Sequence, residues 1–291
     1  MSFLKVVVLA IVQGLAELLP VSSSAHVVVA EKLMGLDPSS PAMTLLLVML
    51  HTGTMFAVIA YFWSRWRATY FSSVEQFKRT AWLVVLATAL TGIVGYGLKI
   101  LIEKTAFHSV PHAQIEDLFS HLELVAPALA VAGVLILVAG LQEHRQGSRR
   151  GAGEGRVPLG QAQAAWIGVV QGLCLPFRGF SRSGATISTG MLLGVPKTAV
   201  EDFSFALAVV LTPAVDVREA LRIIHADQAG GAATLAGAAT SSLAGAVLAF
   251  LAGLVALKWL SRWLESGRWY LFGIYCLVAS AVVGGLYLAG F

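Results

Sequence analysis

The long apolar stretches of this chain constrain its fold more than any other feature. A helix needs about 20 predominantly apolar residues to cross the hydrocarbon core of a bilayer. Six stretches approach that requirement and are predicted to span a membrane: Met43–Trp63, Ala81–Leu101, Leu124–Leu141, Phe203–Val217, Ala233–Leu257 and Trp269–Phe291. Charged residues make up only 12% of the chain and hydrophobic ones 57%, whereas a soluble domain is roughly 25% charged. This composition excludes a cytosolic enzyme, a nucleic-acid binder and a disordered regulator, and it predicts an all-α polytopic membrane protein.

Two further apolar segments, Phe3–Leu19 and Ala164–Leu175, are each followed by proline before they are long enough to span a membrane. A second short helical pattern follows each of them, over Ser23–Met34 and Arg182–Leu193. A hydrophobic piece of roughly 12–15 residues followed by polar turn residues is typical of a re-entrant segment. The sequence therefore predicts six transmembrane helices and two re-entrant helix pairs.

Three basic loops set the predicted orientation. Residues 64–80, 142–160 and 258–268 hold 11 of the 20 Lys and Arg residues, and all seven tryptophans lie in or beside these loops. Short loops rich in Lys and Arg stay in the cytoplasm, and Trp favours the membrane interface. We therefore expect the three basic loops to be cytoplasmic and both termini to lie on the outer side.

A short motif repeats between the two halves of the chain. Gln13-Gly14-Leu15 is followed by Pro20 and three serines, and Gln171-Gly172-Leu173 is followed by Pro176 and Ser-Arg-Ser. Three spans follow each motif, and because three is odd, the second half enters the membrane with opposite topology. This predicts one membrane domain over 1–291, with inverted repeats at 1–141 and 161–291 and a cytoplasmic linker at 142–160. Chance similarity between apolar sequences is the alternative.

The second short helix of each pair is predicted to bind an anion at its N-terminus. Ser22 and Ser181 are natural N-caps, and a helix N-terminus presents free N–H groups and partial positive charge. Broken helices of inverted repeats meet at a binding site near the middle of the membrane. With Arg182 at that point, the site suits a doubly phosphorylated group, and Thr186 adds a hydroxyl one turn further along.

Glu17 and His26 add ionisable groups, which are functional candidates when they lie in a membrane. Gln13 and Glu17 share a helix face, and the carboxylate suits a metal ligand or a general base. Next to a diphosphate, a hydrated Mg²⁺ or Ca²⁺ is a reasonable occupant. A serine of the Ser22–Ser24 run beside a histidine and a carboxylate resembles an activated nucleophile. The alternatives are serines that only satisfy backbone groups and a structural His26, and His51 either borders the site or packs between helices.

These motifs resemble those of a known family. The run from Gln13 to His26, Gln-Gly-Leu-Ala-Glu-Leu-Leu-Pro-Val-Ser-Ser-Ser-Ala-His, resembles the first motif of the bacterial undecaprenyl pyrophosphate phosphatases of the BacA type. Residues 179–186, Gly-Phe-Ser-Arg-Ser-Gly-Ala-Thr, resemble the second. The resemblance implies a bacterial inner-membrane enzyme that removes one phosphate from undecaprenyl diphosphate, recycles the carrier for peptidoglycan synthesis and confers bacitracin resistance. It also implies a divalent cation, Mg²⁺ or Ca²⁺.

The resemblance also assigns roles by position. Glu17 is the implied catalytic or metal-binding acid, Ser23 the nucleophile, His26 its acid/base partner and Arg182 the phosphate clamp. The implied phosphate-binding residues are Ser22, Ser181, Ser183 and Thr186. The expected partners are a polyprenyl diphosphate and membrane lipids, with a homodimer as an option and no nucleic acid.

Two positions depart from the family pattern. Gln13 stands where many relatives have a second Glu, so Glu17 and Gln13 are the expected metal ligands and Glu17 is the one carboxylate on which metal affinity is expected to rest. Arg178 stands where a proline is usual and is predicted to add a second cation to the phosphate site. A transporter or flippase of a polyprenyl phosphate or another anion is the alternative function, because broken helices in inverted repeats are also typical of transporters.

Overall fold

A computed structural model describes residues 2–37, 40–106, 122–147, 157–227 and 232–290 of the protein. These residues form ten helices and no strand, which agrees with the predicted all-α class. In chain order they are α1 (Phe3–Leu18), α2 (Ser23–Leu33), α3 (Pro41–Thr69), α4 (Val74–Ala106), α5 (Leu122–Gly147), α6 (Gln161–Cys174), α7 (Arg182–Leu192), α8 (Lys197–Asp227), α9 (Ala232–Glu265) and α10 (Tyr270–Leu288).

Five of the six predicted spans fall in helices that are long and apolar enough to cross a membrane. These five are α3, α4, α5, α9 and α10. The sixth predicted span, Phe203–Val217, forms the middle of α8, which is not among them. The structure thus confirms a helical protein with several membrane-span candidates, and the crossing by α8 stays a prediction.

Both broken helix pairs are present. Leu18 ends α1 and Ser23 begins α2, while Cys174 ends α6 and Arg182 begins α7. In each half, the broken pair is followed by three long helices. The predicted linker at 142–160 is partly helical, since α5 continues to residue 147, and residues 148–156 lie outside the described part of the chain.

The glycines of the repeated Gln-Gly-Leu motif let each broken pair pack against the other half. A Cβ atom at Gly14 would collide with α9 at Ala249 and Ala252, and one at Gly172 would collide with α4 at Thr91 and Val94. Each first half-helix therefore lies against the second long helix of the opposite half, backbone to backbone. This reciprocal packing places the two breaks side by side.

The closeness of α6 to α4 allows a stability test. A Gly168→Ala substitution is expected to lower the melting temperature of the purified protein, because the new Cβ would overlap the backbone of Ala87. The matched control is Gly92→Ala on α4, where the added Cβ would have no atom within 4 Å. There alanine should stabilise the helix by about 0.5–1 kcal/mol. Equal melting temperatures for the two variants would contradict the packing.

Candidate active site

The carboxylate of Glu17 lies where the two broken helix pairs meet. Its Oε2 atom accepts hydrogen bonds from the Ser23 hydroxyl at 2.5 Å and from the Gln13 amide at 3.0 Å. Its Oε1 atom accepts a hydrogen bond from Nη2 of Arg182 at 3.2 Å. The sequence predicts that these four residues share one site, and the structure brings them into direct contact.

Ser23 and Arg182 occupy equivalent positions in the two halves. Each is the first residue of the short helix that follows a break, Ser23 in α2 and Arg182 in α7. Helix N-termini carry partial positive charge and unpaired N–H groups. Two such ends beside one another favour an anion, and the carboxylate of Glu17 is the anion that lies between them in this structure.

The two breaks also contact each other directly. The backbone N–H of Gly179, in the second break, donates a hydrogen bond to Ser24 Oγ at 3.4 Å. The hydroxyl of Ser183 donates to the backbone carbonyl of Leu19, in the first break, at 3.5 Å. The structure therefore brings the two breaks into contact.

A shallow cleft opens beside Glu17. One part of its wall is polar and the other is apolar, a combination that suits an amphiphile with a charged headgroup. The polar lining residues are Glu17, His51, Thr54, Arg182 and Thr212, and the apolar ones are Leu18, Met55, Val58, Ala208 and Val209.

One N–H donor group of Arg182 has no hydrogen-bond partner among the described residues. Its Nη2 atom contacts Glu17, whereas Nη1 is buried and has no hydrogen-bond partner among the described residues. Buried polar atoms are nearly always paired, and leaving one unpaired costs free energy. A guanidinium group makes forked contacts with phosphate oxygens, so a turn of the Arg182 side chain toward a phosphate in the cleft would give Nη1 the acceptor that it lacks.

His51 of α3 is the second cationic candidate beside the carboxylate. Its Nε2 atom lies 3.6 Å from Oε2 of Glu17, and its Nδ1 atom donates to the carbonyl of Leu47 at 2.8 Å. The sequence left open whether His51 borders the site or packs between helices, and the structure places it in the cleft wall.

On the next residue, Thr52, the hydroxyl donates to Asp216 of α8 at 3.2 Å. Asp216 was not among the predicted site residues, although a carboxylate in an apolar helix is itself a signal.

His26 points away from the contact it was predicted to make. Its Nδ1 atom lies 2.7 Å from the carbonyl oxygen of Ser22, and its Nε2 atom lies 2.7 Å from the Tyr275 hydroxyl. In this arrangement the proton of the Ser23 hydroxyl is directed at Glu17. The role of His26 as acid/base partner stays a prediction, and Tyr275 is a neighbour that the sequence did not indicate.

Three predicted phosphate ligands use their hydroxyls in different ways. Ser181 caps α7 by accepting a hydrogen bond from the N–H of Gly184 at 3.2 Å, as predicted for an N-cap. Ser22 holds the matching position before α2 but makes no such capping bond. Thr186 pairs with Ser204 of α8 at 2.6 Å. Contacts of these residues and of Ser183 with phosphate stay predictions.

Arg178 lies in the second break near another carboxylate. Its charge acts on Glu31 of α2, whose side chain is completely buried. Glu31 was not among the predicted site residues. The contribution of Arg178 to phosphate binding stays a prediction.

The residues around Glu17 match part of a divalent-cation site. Mg²⁺ is commonly held by one or two carboxylates, with substrate phosphates and water completing its shell. Glu17 supplies one carboxylate and Gln13 one amide group, and the described residues contain no cluster of three His, Cys, Asp or Glu side chains that could hold a metal. The donor set therefore fits a cation that is bound largely by the diphosphate itself.

Comparison with known proteins reveals extensive similarity along the chain. Residues 6–282 match the family described as bacitracin resistance protein BacA. The chain is 58% identical to undecaprenyl-diphosphatase 2 of Acinetobacter baylyi over 286 residues, which cover 97% of each protein. It is 34% identical to undecaprenyl-diphosphatase of Desulfosudis oleivorans, over 95% of each chain. It is also 34% identical to undecaprenyl-diphosphatase 2 of Burkholderia orbicola, over 99% of this chain and 98% of that one.

Proposed function

Because the chain belongs to the bacitracin resistance protein BacA family, we propose that it hydrolyses undecaprenyl diphosphate to undecaprenyl phosphate and inorganic phosphate. It is a multi-pass membrane protein and a phosphatase of the undecaprenyl-diphosphatase type. The observation that carries the chemistry is the Ser23 hydroxyl directed onto Glu17, next to an Arg182 guanidinium with an unpaired N–H group. The monophosphate product is the lipid carrier for peptidoglycan synthesis, and consumption of the diphosphate, which bacitracin sequesters, accounts for resistance.

In the proposed reaction, Ser23 Oγ attacks the terminal phosphorus while Glu17 Oε2 accepts its proton. The bond between that phosphorus and the bridging oxygen breaks, and undecaprenyl phosphate leaves. Water then hydrolyses the phosphoserine to release inorganic phosphate. Arg182 and the two helix N-termini stabilise the negative charge of the transition state. A water molecule activated by Glu17 is the alternative nucleophile.

A divalent cation, Mg²⁺ or Ca²⁺, is part of the proposal. Glu17 and the amide oxygen of Gln13 would hold it together with oxygens of the diphosphate. When bound, such an ion neutralises phosphate charge. The side chains have separate roles in the proposal. Arg182 orients the terminal phosphate. The apolar cleft wall at Met55, Val58 and Val209 binds the first part of the prenyl chain.

The proposed membrane arrangement has six crossings and two re-entrant pairs in inverted repeats, in the bacterial inner membrane. The reciprocal packing of α1 on α9 and α6 on α4 supports the inversion. Arg65 and Arg67 lie at the end of α3 that leads into the first basic loop, which supports a cytoplasmic position for that end. Both termini would then lie outside. Pairing of two copies into a homodimer is a further option of the proposal.

Phosphate release by the purified protein separates the proposed phosphatase from the transporter. We expect detergent-solubilised protein to release phosphate from undecaprenyl diphosphate with multiple turnovers, in the presence of Mg²⁺ or Ca²⁺. A carrier needs cationic groups for its ligand but no nucleophile, so it would leave the diphosphate intact. Undecaprenyl phosphate as substrate is the control. Release of phosphate that is no faster than from protein-free micelles would refute the proposal and favour transport.

A further inference from the structure

The backbone of Ser22 adopts a conformation that an L-residue rarely takes. Its φ of 68° and ψ of 93° make it the one residue other than glycine with positive φ among those the structure describes. Such conformations persist only when the surroundings hold them, and they cluster at functional sites. Ser22 directly precedes Ser23, so its backbone determines where the Ser23 hydroxyl points.

The side chain of His26 holds this backbone by its carbonyl group. The Nδ1 atom of His26 lies 2.7 Å from the carbonyl oxygen of Ser22, whereas the backbone N–H of His26 lies at a longer 3.4 Å from the same atom. A carbonyl oxygen only accepts hydrogen bonds, so Nδ1 must carry the proton. The imidazole thus supplies the stronger of the two contacts on Ser22.

Tyr275 of α10 fixes the other side of the imidazole ring. With the proton on Nδ1, Nε2 of neutral His26 accepts a hydrogen bond from the Tyr275 hydroxyl at 2.7 Å. The two rings are also nearly parallel, at 11°, with centroids 5.7 Å apart. Both ring nitrogens are therefore engaged, and neither faces Ser23.

The matching serine in the second half of the chain, Ser181, has an ordinary backbone conformation and caps its own helix. Ser181, at the position that matches Ser22, has φ of −55° and ψ of 112° and caps its helix with its own hydroxyl. Ser22 has the unusual backbone and no capping bond. The support by His26 thus occurs in the half that carries the proposed nucleophile and not in the half that carries Arg182.

We propose that His26 and Tyr275 are positioning residues: Tyr275 holds the imidazole, the imidazole holds the Ser22 carbonyl, and the resulting backbone directs the Ser23 hydroxyl at Glu17. This inference rests on the proposed phosphatase function. It differs from the role that the family resemblance implies, in which His26 exchanges a proton with Ser23. Positioning requires a donor at Nδ1, whereas proton exchange requires an imidazole.

Two amide substitutions at His26 separate these roles. In His26→Asn the amide nitrogen takes the place of Nδ1 and keeps the donor to Ser22, whereas in His26→Gln it takes the place of Nε2 and loses that donor. We expect kcat for phosphate release from undecaprenyl diphosphate to fall by less than about tenfold in the Asn variant. It should fall by about 100-fold or more in the Gln variant, since misalignment of the nucleophile carries that penalty. KM should stay nearly constant in both.

Equal losses in the two variants, with normal gel filtration and melting temperature, would overturn the inference and favour proton exchange. Wild-type kcat in both would overturn it as well. Failure of wild-type protein to release phosphate would instead refute the proposed function, so the two outcomes are distinguishable.

Tyr275→Phe is a milder test that does not depend on the folding of the His26 variants. Loss of the hydroxyl should lower kcat by about three- to tenfold, the typical effect of one hydrogen bond. Tyr287→Phe is the matched control, because Tyr287 lies on the same helix and both tyrosines are 46% exposed. Wild-type kcat in Tyr275→Phe, or the same loss in Tyr287→Phe, would contradict a supporting role for Tyr275.

Discussion

Replacing Arg182 by alanine is expected to lower kcat/KM for phosphate release by about 10³-fold or more, because charge stabilisation by a positioned arginine is worth that much in phosphoryl transfer. Two features of the structure support so large an effect. Arg182 is the first residue of α7. Its Nη1 group is buried and has no hydrogen-bond partner among the described residues. Its removal would also leave the carboxylate of Glu17 without its closest cationic partner.

Two further variants turn this expectation into a test of geometry. Arg182→Lys keeps the charge but loses the forked donor, so most of the loss should remain. Arg178→Ala removes an arginine from the same break, but one whose charge acts on the buried Glu31, and its effect should be far smaller. Steady-state kinetics with undecaprenyl diphosphate measure all three. If Arg178→Ala were as damaging as Arg182→Ala, the phosphate would have to bind between the two arginines.

The central contacts of the site could be predicted because they lie in or next to the two chain breaks. Proline and the repeated Gln-Gly-Leu motif mark each break in the sequence, and the residue that starts the following helix is Ser23 in one half and Arg182 in the other. Inverted repeats bring such breaks together. Local signals therefore sufficed to place Glu17, Ser23 and Arg182 in one site.

The sequence could not predict that His51 and Tyr275 lie at the site. Both lie on long helices, α3 and α10, whose rotation about their axes depends on packing against distant elements. An apolar helix surrounded by lipid and protein has no strong polar face to reveal which side meets the site. His26 presents a different difficulty, since its contact with the Ser22 carbonyl accompanies a positive φ at Ser22, which no sequence pattern for serine indicates.

The middle of α8 was harder to classify than the other spans for a related reason. Glu201 and Asp202 lie before its apolar stretch and Asp216 lies within it. In the structure, Arg65 of α3 pairs with Glu201 at 3.2 Å and with Asp202 at 2.9 Å, although both carboxylates are buried. Charges that are neutralised by a partner on another helix lower the apparent hydropathy of a segment without exposing it to water.

The nucleophile and its base should respond to substitution as one unit. Ser23→Ala is expected to lower kcat by about 10⁴-fold or more, as loss of a covalent nucleophile does in other hydrolases. Glu17→Gln should lower kcat to a similar extent, because the neutral amide cannot accept the Ser23 proton.

The double variant provides the decisive comparison, because residues that act in one step give non-additive losses. If Ser23 transfers its proton to Glu17 across their 2.5 Å contact, combining Ser23→Ala with Glu17→Gln should cost little more than either change alone. Gel filtration and melting temperature control for folding, and Ser24→Ala, which removes a neighbouring hydroxyl that does not touch the carboxylate, controls for the loss of a serine. Near-normal turnover in Ser23→Ala would eliminate the covalent route and leave the water activated by Glu17. Multiplicative losses would instead mean that the two groups act in separate steps, with the carboxylate serving the cation and a different group taking the proton of Ser23.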